Sequence, residues 1–129
     1  GIIVEAGKNY SRVLSIIDDS SNVSGMFLKT SDICVVKGNL KMIDSGMIEA
    51  THISKDAEVR DGYEIVTSNI SDKYLQGILI GYISNITIDA NNMTKSGYLT
   101  PVVDFDRLDT VLIITELKKN TAELNEMLK

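Results

Sequence analysis

The chain has 129 residues, of which 43% are hydrophobic and 24% charged, so it can bury a core in one domain or in two small ones. Aromatic residues make up 5% and tryptophan is absent, so isoleucine, valine, leucine and methionine must build the core. The net charge of −5 argues against nonspecific nucleic-acid binding and against docking on an anionic membrane, because both need clustered lysine and arginine.

The first half of the chain consists of short β-type runs separated by turn signals. Lys37-Gly38-Asn39 has the spacing of a hairpin turn between two of these runs. The predicted strands cover residues 2–5, 10–17, 23–28, 33–36, 40–43 and 47–53.

The second half continues in the same way, with predicted strands at residues 64–67, 78–88, 97–103 and 110–114. Residues 104–109 are typical of a loop or a single helical turn. Residues 116–129 lack glycine and proline and place Leu117, Leu124 and Leu128 on one helical face, which predicts a short C-terminal helix. Seven or more short strands with frequent turns indicate an all-β barrel or sandwich.

No residue pattern predicts a catalytic, cofactor-binding or metal site. One histidine and one cysteine cannot form a typical structural zinc site, and the spacing of Asp104 and Asp106 does not match an EF-hand. His52 is the single histidine, and the sequence has no Gly-x-Ser-x-Gly motif that would supply a serine nucleophile for it. The sequence also has no glycine-rich phosphate-binding loop. Cys34 has apolar neighbours, so we expect a buried thiol that acts as a small hydrophobic residue.

Two stretches carry the most information. The first is Asp61-Gly62-Tyr63-Glu64-Ile65-Val66-Thr67-Ser68 with the glycine-bounded strand after it, and the second runs from Pro101 to Ile114. We expect the glycines to serve turns or close packing, Thr67 and Ser68 to hydrogen-bond a loop, and Leu108 and Leu112 to lie in the core. The motif residues are Asp61, Gly62, Thr67, Ser68, Gly77, Gly81, Pro101, Asp104 and Leu108.

Together with Val4-Glu5-Ala6-Gly7 and Ser11-Arg12-Val13, these stretches resemble the extracytoplasmic β domain of the bacterial rod shape-determining MreC family. The resemblance covers nearly the whole chain. This sequence departs from the family pattern where Asn69 stands in place of a glycine, and where Leu75-Gln76-Gly77 keeps only the glycine of a Pro-Lys-Gly motif.

The resemblance implies an all-β fold of two small barrels, similar to trypsin-like barrels but without catalytic residues, followed by a short C-terminal helix. We expect a first β subdomain over residues 1–58 (mostly the inserted barrel), a second over 59–115 with the motif strands, and the helix over 116–129. We expect the family strands that precede Gly1 to be missing from this chain, so that one barrel is incomplete or is stabilised by another chain. Its open strand edges favour self-association.

The resemblance also implies a function. A MreC-like chain is a non-enzymatic scaffold that maintains rod shape by organising and activating peptidoglycan synthases. It stands on the extracytoplasmic face of the cytoplasmic membrane, anchored by a segment outside this chain. The implied partners are the elongation-specific penicillin-binding transpeptidase, a RodA-type glycosyltransferase, MreD and the MreB-containing complex, with no cofactor.

For partner contact we single out the loop Ser71-Asp72-Lys73-Tyr74-Leu75, since Tyr74 and Leu75 place an aromatic and an apolar residue in a polar setting. Two other functions compete with the scaffold. One is a β-barrel protein-binding module of another extracytoplasmic adaptor. The other is a trypsin-like domain, inactive or active, which predicts that His52 lies within hydrogen-bond reach of a serine and an aspartate.

Overall fold

Short runs rich in β-branched and other apolar residues form eight β-strands in the computed structural model, which describes residues 1–70 and 73–116. Two short 3-10 helices cover Leu40–Ser45 and Phe105–Arg107. The all-β prediction is confirmed. The strands are β1 (Ile2–Ala6), β2 (Ser11–Leu14), β3 (Asn22–Phe27), β4 (Ile33–Lys37), β5 (Ile48–Ser54), β6 (Glu64–Thr67), β7 (Leu79–Ile88) and β8 (Thr94–Pro101).

Six strands form a closed antiparallel barrel in the order β3-β4-β5-β8-β7-β6, and β6 pairs with β3 to close it. The barrel takes three strands from before residue 58 and three from after it. Strands β1 and β2 form a separate two-stranded sheet. Within the described residues a second barrel is not seen, so the two-barrel expectation stays a prediction.

The core lies inside this barrel and is built from alternate residues of its strands. Strand β5 departs from strict alternation, because a bulge between Ala50 and Ile53 inserts an extra residue and lets both side chains point inward. His52 lies in this bulge with φ of 58°. The residues with 0% exposure are Phe27, Cys34, Val36, Ile48, Ala50, Ile53, Ile65, Ser68 and Leu99.

Glycines serve the two purposes predicted for them. Gly62 and Gly77 have φ of +91° and +88°, a region that side chains with a Cβ rarely adopt, so they are turn glycines. Gly81 lies opposite Pro101 across the β7–β8 pair. A Cβ at Gly81 would collide with the carbonyl oxygen of Thr100 and the backbone of Pro101, so this glycine permits close strand packing.

The predicted strand at residues 40–43 is wrong, because this segment belongs to the 3-10 helix Leu40–Ser45. Asn39 starts that helix: its carbonyl oxygen accepts from the Met42 N–H at 3.0 Å, and its side-chain oxygen accepts from the Lys41 N–H at 3.0 Å. Asn39 satisfies these backbone N–H groups locally, so they do not pair with a neighbouring strand. The segment therefore forms a helical turn although its apolar residues are typical of a strand.

The predicted strand at residues 110–114 is also wrong, since these residues carry no strand pairing in the described part of the chain. Both edges of β8, the strand that precedes this segment, are already paired to β5 and to β7, so the segment cannot add to the barrel as a neighbour of β8. The helical turn expected within 104–109 is confirmed as Phe105–Arg107. The helix predicted over 116–129 lies outside the described residues except for Glu116, which is irregular.

Substitution of Gly81 tests the close β7–β8 approach. We expect Gly81→Val to lower the free energy of unfolding by about 1–3 kcal/mol, because the new side chain forces the backbone of Thr100 and Pro101 away. Urea denaturation measures this change. The matched control is Tyr82→Val, at the next position of the strand, where the side chain points outward and is 40% exposed. Equal losses for both variants would contradict close packing at Gly81.

Cys34 is a buried free thiol, as predicted, and burial raises the pKa of this thiol from about 9 to about 12. Since the thiolate is the reactive form, we expect Ellman's reagent at pH 8 to react with the folded chain at least about 100-fold more slowly than with the urea-unfolded chain. A Cys34→Ala, Leu28→Cys double variant, with its thiol at an exposed position, is the control. Rapid reaction of folded Cys34 would show that the site is accessible.

The raised pKa of Cys34 should also make the free energy of unfolding depend on pH. The folded chain keeps the Cys34 proton up to about pH 12, whereas the unfolded chain releases it near pH 9. The folded state therefore binds more protons between these values, and the contribution of Cys34 to stability falls as pH rises through this window.

Candidate partner-binding groove

An apolar groove of about 480 Å³ lies between three parts of the molecule: the β1–β2 hairpin, the loop leading into β7, and the segment 108–116. We call it the apolar groove. Its charged lining residues are Lys73 and Glu116, one of each sign, and nearly all the remaining side chains are aliphatic. An exposed apolar concavity of this kind is typical of a surface that another protein segment covers.

The hairpin forms the first wall. Ile3 lies directly opposite Val13, and these side chains are 46% and 56% exposed. At the turn end, Glu5 accepts a hydrogen bond from Tyr10 at 3.1 Å and lies 3.6 Å from the Arg12 guanidinium. Within the described residues β1 pairs only with β2. Because a two-stranded sheet has no core of its own, its apolar side chains remain in solvent.

Thr67, at the end of β6, holds the second wall in place. Its buried hydroxyl donates to the carbonyl oxygen of Leu75 at 2.5 Å and accepts from the Ile78 N–H at 2.8 Å. Gly77 adds a bond from its N–H to the Thr67 carbonyl oxygen at 2.9 Å. The prediction that Thr67 and Ser68 hydrogen-bond the loop is confirmed, since the Ser68 hydroxyl accepts from the Ile70 N–H at 3.0 Å. These bonds fix Leu75 and Ile78 at the groove.

The third wall follows β8. Asp104 caps the short helix Phe105–Arg107 by accepting from the Asp106 N–H at 3.1 Å, and the chain then leaves the barrel. The prediction that Leu108 and Leu112 lie in the core is wrong, because they are 57% and 91% exposed. The inward residues of β3 to β8 already fill the barrel, so it has no room for them. The neighbouring exposed residues are Val111, Ile113 and Ile114.

Tyr74 and Leu75, singled out from the sequence as partner contacts, both line the groove. Both are half-buried rather than fully exposed. Tyr74 packs against the barrel core, and this burial raises the pKa of its phenol. Ser71 and Asp72 of the same loop lie outside the described residues.

The larger part of the groove, namely the hairpin and residues 111–114, was not predicted from the sequence. Val111-Leu112-Ile113-Ile114 is an unbroken apolar run, but so is Ile33-Cys34-Val35-Val36 in barrel strand β4. The sequence therefore carried no signal that distinguished the groove segment from a barrel strand.

The motif residues do not meet in one site. Asp61 is exposed in the turn before β6, where the Gly62 N–H donates to the Ile83 carbonyl oxygen at 2.7 Å. Thr67, Ser68 and Gly77 organise the loop, while Gly81 and Pro101 belong to the β7–β8 pair. Among the nine motif residues, Leu108 alone lines the apolar groove.

Among the residues that the structure describes, His52 has no triad partners. Its Nδ1 lies 2.9 Å from the Thr51 hydroxyl, and in the described part of the chain it makes no hydrogen bond to a serine or an aspartate. Residues 1–70 and 73–116 contain no group of three or more histidine, cysteine or carboxylate side chains placed to hold a metal ion. They also contain no helix long and apolar enough to cross a membrane.

Two curated relatives, both named "Cell shape-determining protein MreC", match the chain. The protein from Haemophilus influenzae is 23% identical over 114 residues, which are 88% of this chain and 32% of the relative. The protein from Listeria monocytogenes is 25% identical over 71 residues, 55% of this chain and 24% of the relative. The chain therefore spans about a third or less of the length of these relatives. Neither is named as an enzyme.

Solved structures show the same fold. The crystal structure of MreC from Pseudomonas aeruginosa matches with a TM-score of 0.65 and 14% identity, over 79% of this chain and 65% of that one. The MreC structure from Listeria monocytogenes matches with a TM-score of 0.61 and 24% identity, over 67% of this chain and 41% of that one. The family model for "Rod shape-determining protein MreC, barrel core" matches residues 1–115, so the chain belongs to the MreC family of rod shape-determining proteins.

Proposed function

We propose that this chain is a protein-binding barrel of a non-enzymatic scaffold that organises and activates the peptidoglycan synthases of cell elongation. The observation that carries the proposal is the apolar groove, which joins three separate parts of the chain into one exposed surface. Leu112 is 91% exposed at its edge. A scaffold acts by noncovalent contact, and an apolar concavity with few charges is suited to such contact.

Activation requires no chemical step from the scaffold. A partner synthase that exists in an active and an inactive conformation shifts towards whichever conformation the scaffold binds more tightly. The Thr67 hydrogen bonds hold one wall of the groove in a single arrangement, and such preorganisation favours selective binding. Family membership and the cell-shape names of the relatives support a role in rod shape.

The partners we propose are the elongation-specific penicillin-binding transpeptidase, a RodA-type glycosyltransferase, MreD and the MreB-containing complex. The place we propose is the extracytoplasmic face of the cytoplasmic membrane, with anchoring by another part of the protein. The apolar groove is best suited to the transpeptidase, since a soluble extracytoplasmic domain can present an apolar segment to it directly.

Binding of the purified extracytoplasmic domain of that transpeptidase, measured by isothermal titration calorimetry, tests the proposal. We expect Leu112→Ala to weaken binding at least about fivefold, because it removes an apolar contact at the groove. The melting temperature should stay within about 2 °C of the parent, since the side chain makes little contact within the fold.

The matched control is Ile88→Ala, which removes an aliphatic side chain that is 59% exposed and does not line the groove. Ile88→Ala should bind as the parent does. If the parent chain does not bind the transpeptidase, the proposed function fails. If it binds and Leu112→Ala binds equally well, the groove is not the contact surface.

We also propose self-association through the β1–β2 hairpin. Each of its strands has one edge without a pairing partner in the described residues, and such edges pair readily with a second chain. Light scattering after size exclusion, over a series of protein concentrations, should show a mass that rises with concentration. A constant monomer mass would contradict self-association.

A further inference from the structure

A second groove lies on the outer face of the barrel, over β5, β8 and β7, and each side chain of its lining carries a polar group. It has a volume of about 400 Å³, within the range of small-molecule sites. We call it the polar groove. Its lining side chains are Glu49, Thr51, Asn85, Thr87, Ser96 and Tyr98.

The strand register places these side chains in adjacent rows. Tyr98 lies between Glu49 on one neighbouring strand and Ser84 on the other. The next outward position of β8 is Ser96, which pairs with Thr87. Directly opposed residues in antiparallel strands are about 5 Å apart, so the rows form a continuous strip of hydroxyl, amide and carboxylate groups beside one aromatic ring.

Backbone irregularities on both sides of β8 shape this groove. The β7 register shifts between Ser84 and Thr87, where Asn85 has a left-handed φ of 53°. The β5 register shifts between Ala50 and Ile53, where His52 has φ of 58°. Bulges redirect side chains, and strained non-glycine residues concentrate at binding sites. Here the β7 bulge places the Asn85 side chain in the groove lining.

Several polar groups of the groove are available to a ligand. In the described residues, the side chains of Glu49, Asn85, Thr87 and Tyr98 form no hydrogen bond to the protein, although the Ser96 hydroxyl already donates to Asp89 at 3.0 Å. The asparagine amide and the two hydroxyls both donate and accept, and the Glu49 carboxylate accepts. This set matches a ligand that carries many hydroxyl groups.

The charge of the groove determines which of these hydroxyl-rich ligands it can bind. Among the described residues, Glu49 is the one ionised side chain in the lining, and the whole chain has a net charge of −5. Lys37 lies opposite Glu49 on β4 but does not line the groove. Because the lining has no lysine or arginine to neutralise a phosphate or an acidic sugar, it favours a neutral ligand. We propose that the polar groove binds a neutral oligosaccharide, with one sugar ring packed on Tyr98 and its hydroxyls bonded to Asn85, Thr87 and Glu49. Barrels of the OB type bind oligosaccharides on an outer strand face in a comparable way.

This inference adds a direct glycan contact to the protein contacts of the proposed function, and it depends on a different surface. An NMR titration of the ¹⁵N-labelled chain with three neutral trisaccharides (triacetylchitotriose, cellotriose and maltotriose) tests it. We expect at least one of them to cause saturable shifts at residues 49, 51, 85, 87 and 96–98. A hyaluronan tetrasaccharide, which is acidic, should bind at least about tenfold more weakly.

Two variants locate the binding. Tyr98→Ala should weaken it at least about tenfold, through loss of the ring surface. Asn85→Gly should also weaken it, and glycine tolerates the positive φ at this position, so the fold is preserved. The matched control is Tyr82→Ala, because Tyr82 is 40% exposed, Tyr98 is 41% exposed, and Tyr82 does not line the groove. Its affinity should equal that of the parent.

Three results would overturn the inference: no saturable shifts at the groove with any neutral trisaccharide, tighter binding of the acidic sugar, or equal loss of affinity in Tyr82→Ala and Tyr98→Ala. Transpeptidase binding, measured on the same Tyr98→Ala variant, should be unchanged. Failure of glycan binding is therefore distinguishable from failure of the proposed function.

Discussion

Closure of the barrel by β3 and β6 is the interaction on which the rest of the structure depends. Gly25 pairs with Thr67 and Phe27 pairs with Ile65, although about forty residues separate the partners in sequence. This pairing removes the last free edges of the six-stranded sheet. It also brings Phe27 and Ile65 into a core where both are fully buried. Without it, the sheet would keep two open edges and its core would be exposed along one side.

The closed barrel also explains the apolar groove. When the six strands have paired with one another, the barrel has no free strand edge. Its interior also has no space for the segments that precede β3 and follow β8 in the sequence. The β1–β2 hairpin and residues 108–116 therefore lie outside, with their aliphatic side chains exposed. The same Thr67 that pairs with Gly25 at the closing edge also anchors the loop of Leu75 and Ile78. Thr67 therefore contributes both to closing the barrel and to shaping the apolar groove.

The two grooves differ in chemistry because they arise differently. The apolar groove consists of segments that have no partner sheet, so residues with core-like composition face solvent. The polar groove lies on the outer face of barrel strands, where period-2 alternation places hydroxyl and amide side chains. Bulges at His52 and Asn85 turn part of that face into a concavity. One chain thereby presents a surface suited to protein segments and another suited to polar ligands.

Local pattern was sufficient for most of the barrel, because strands such as β3 and β4 are short runs rich in apolar and β-branched residues with turn signals before and after them. It failed at residues 40–43, where the Asn39 side chain and carbonyl oxygen nucleate a 3-10 helix, and at 110–114, where an apolar run forms no strand pairing in the described residues. For the site, Tyr74 and Leu75 could be selected from their loop. The hairpin and residues 111–114 could not, since their contribution depends on which segments the barrel leaves outside.

The sequence by itself determined the all-β class, the turn glycines Gly62 and Gly77, the buried thiol of Cys34 and the membership of the family. Each of these depends on composition, on local backbone preference or on residue order along the chain. Tertiary structure alone decided which strands close the barrel, which aliphatic residues remain in solvent and where the two grooves lie. These features depend on pairing between distant strands, and no local pattern encodes which pairing satisfies every backbone hydrogen bond at once.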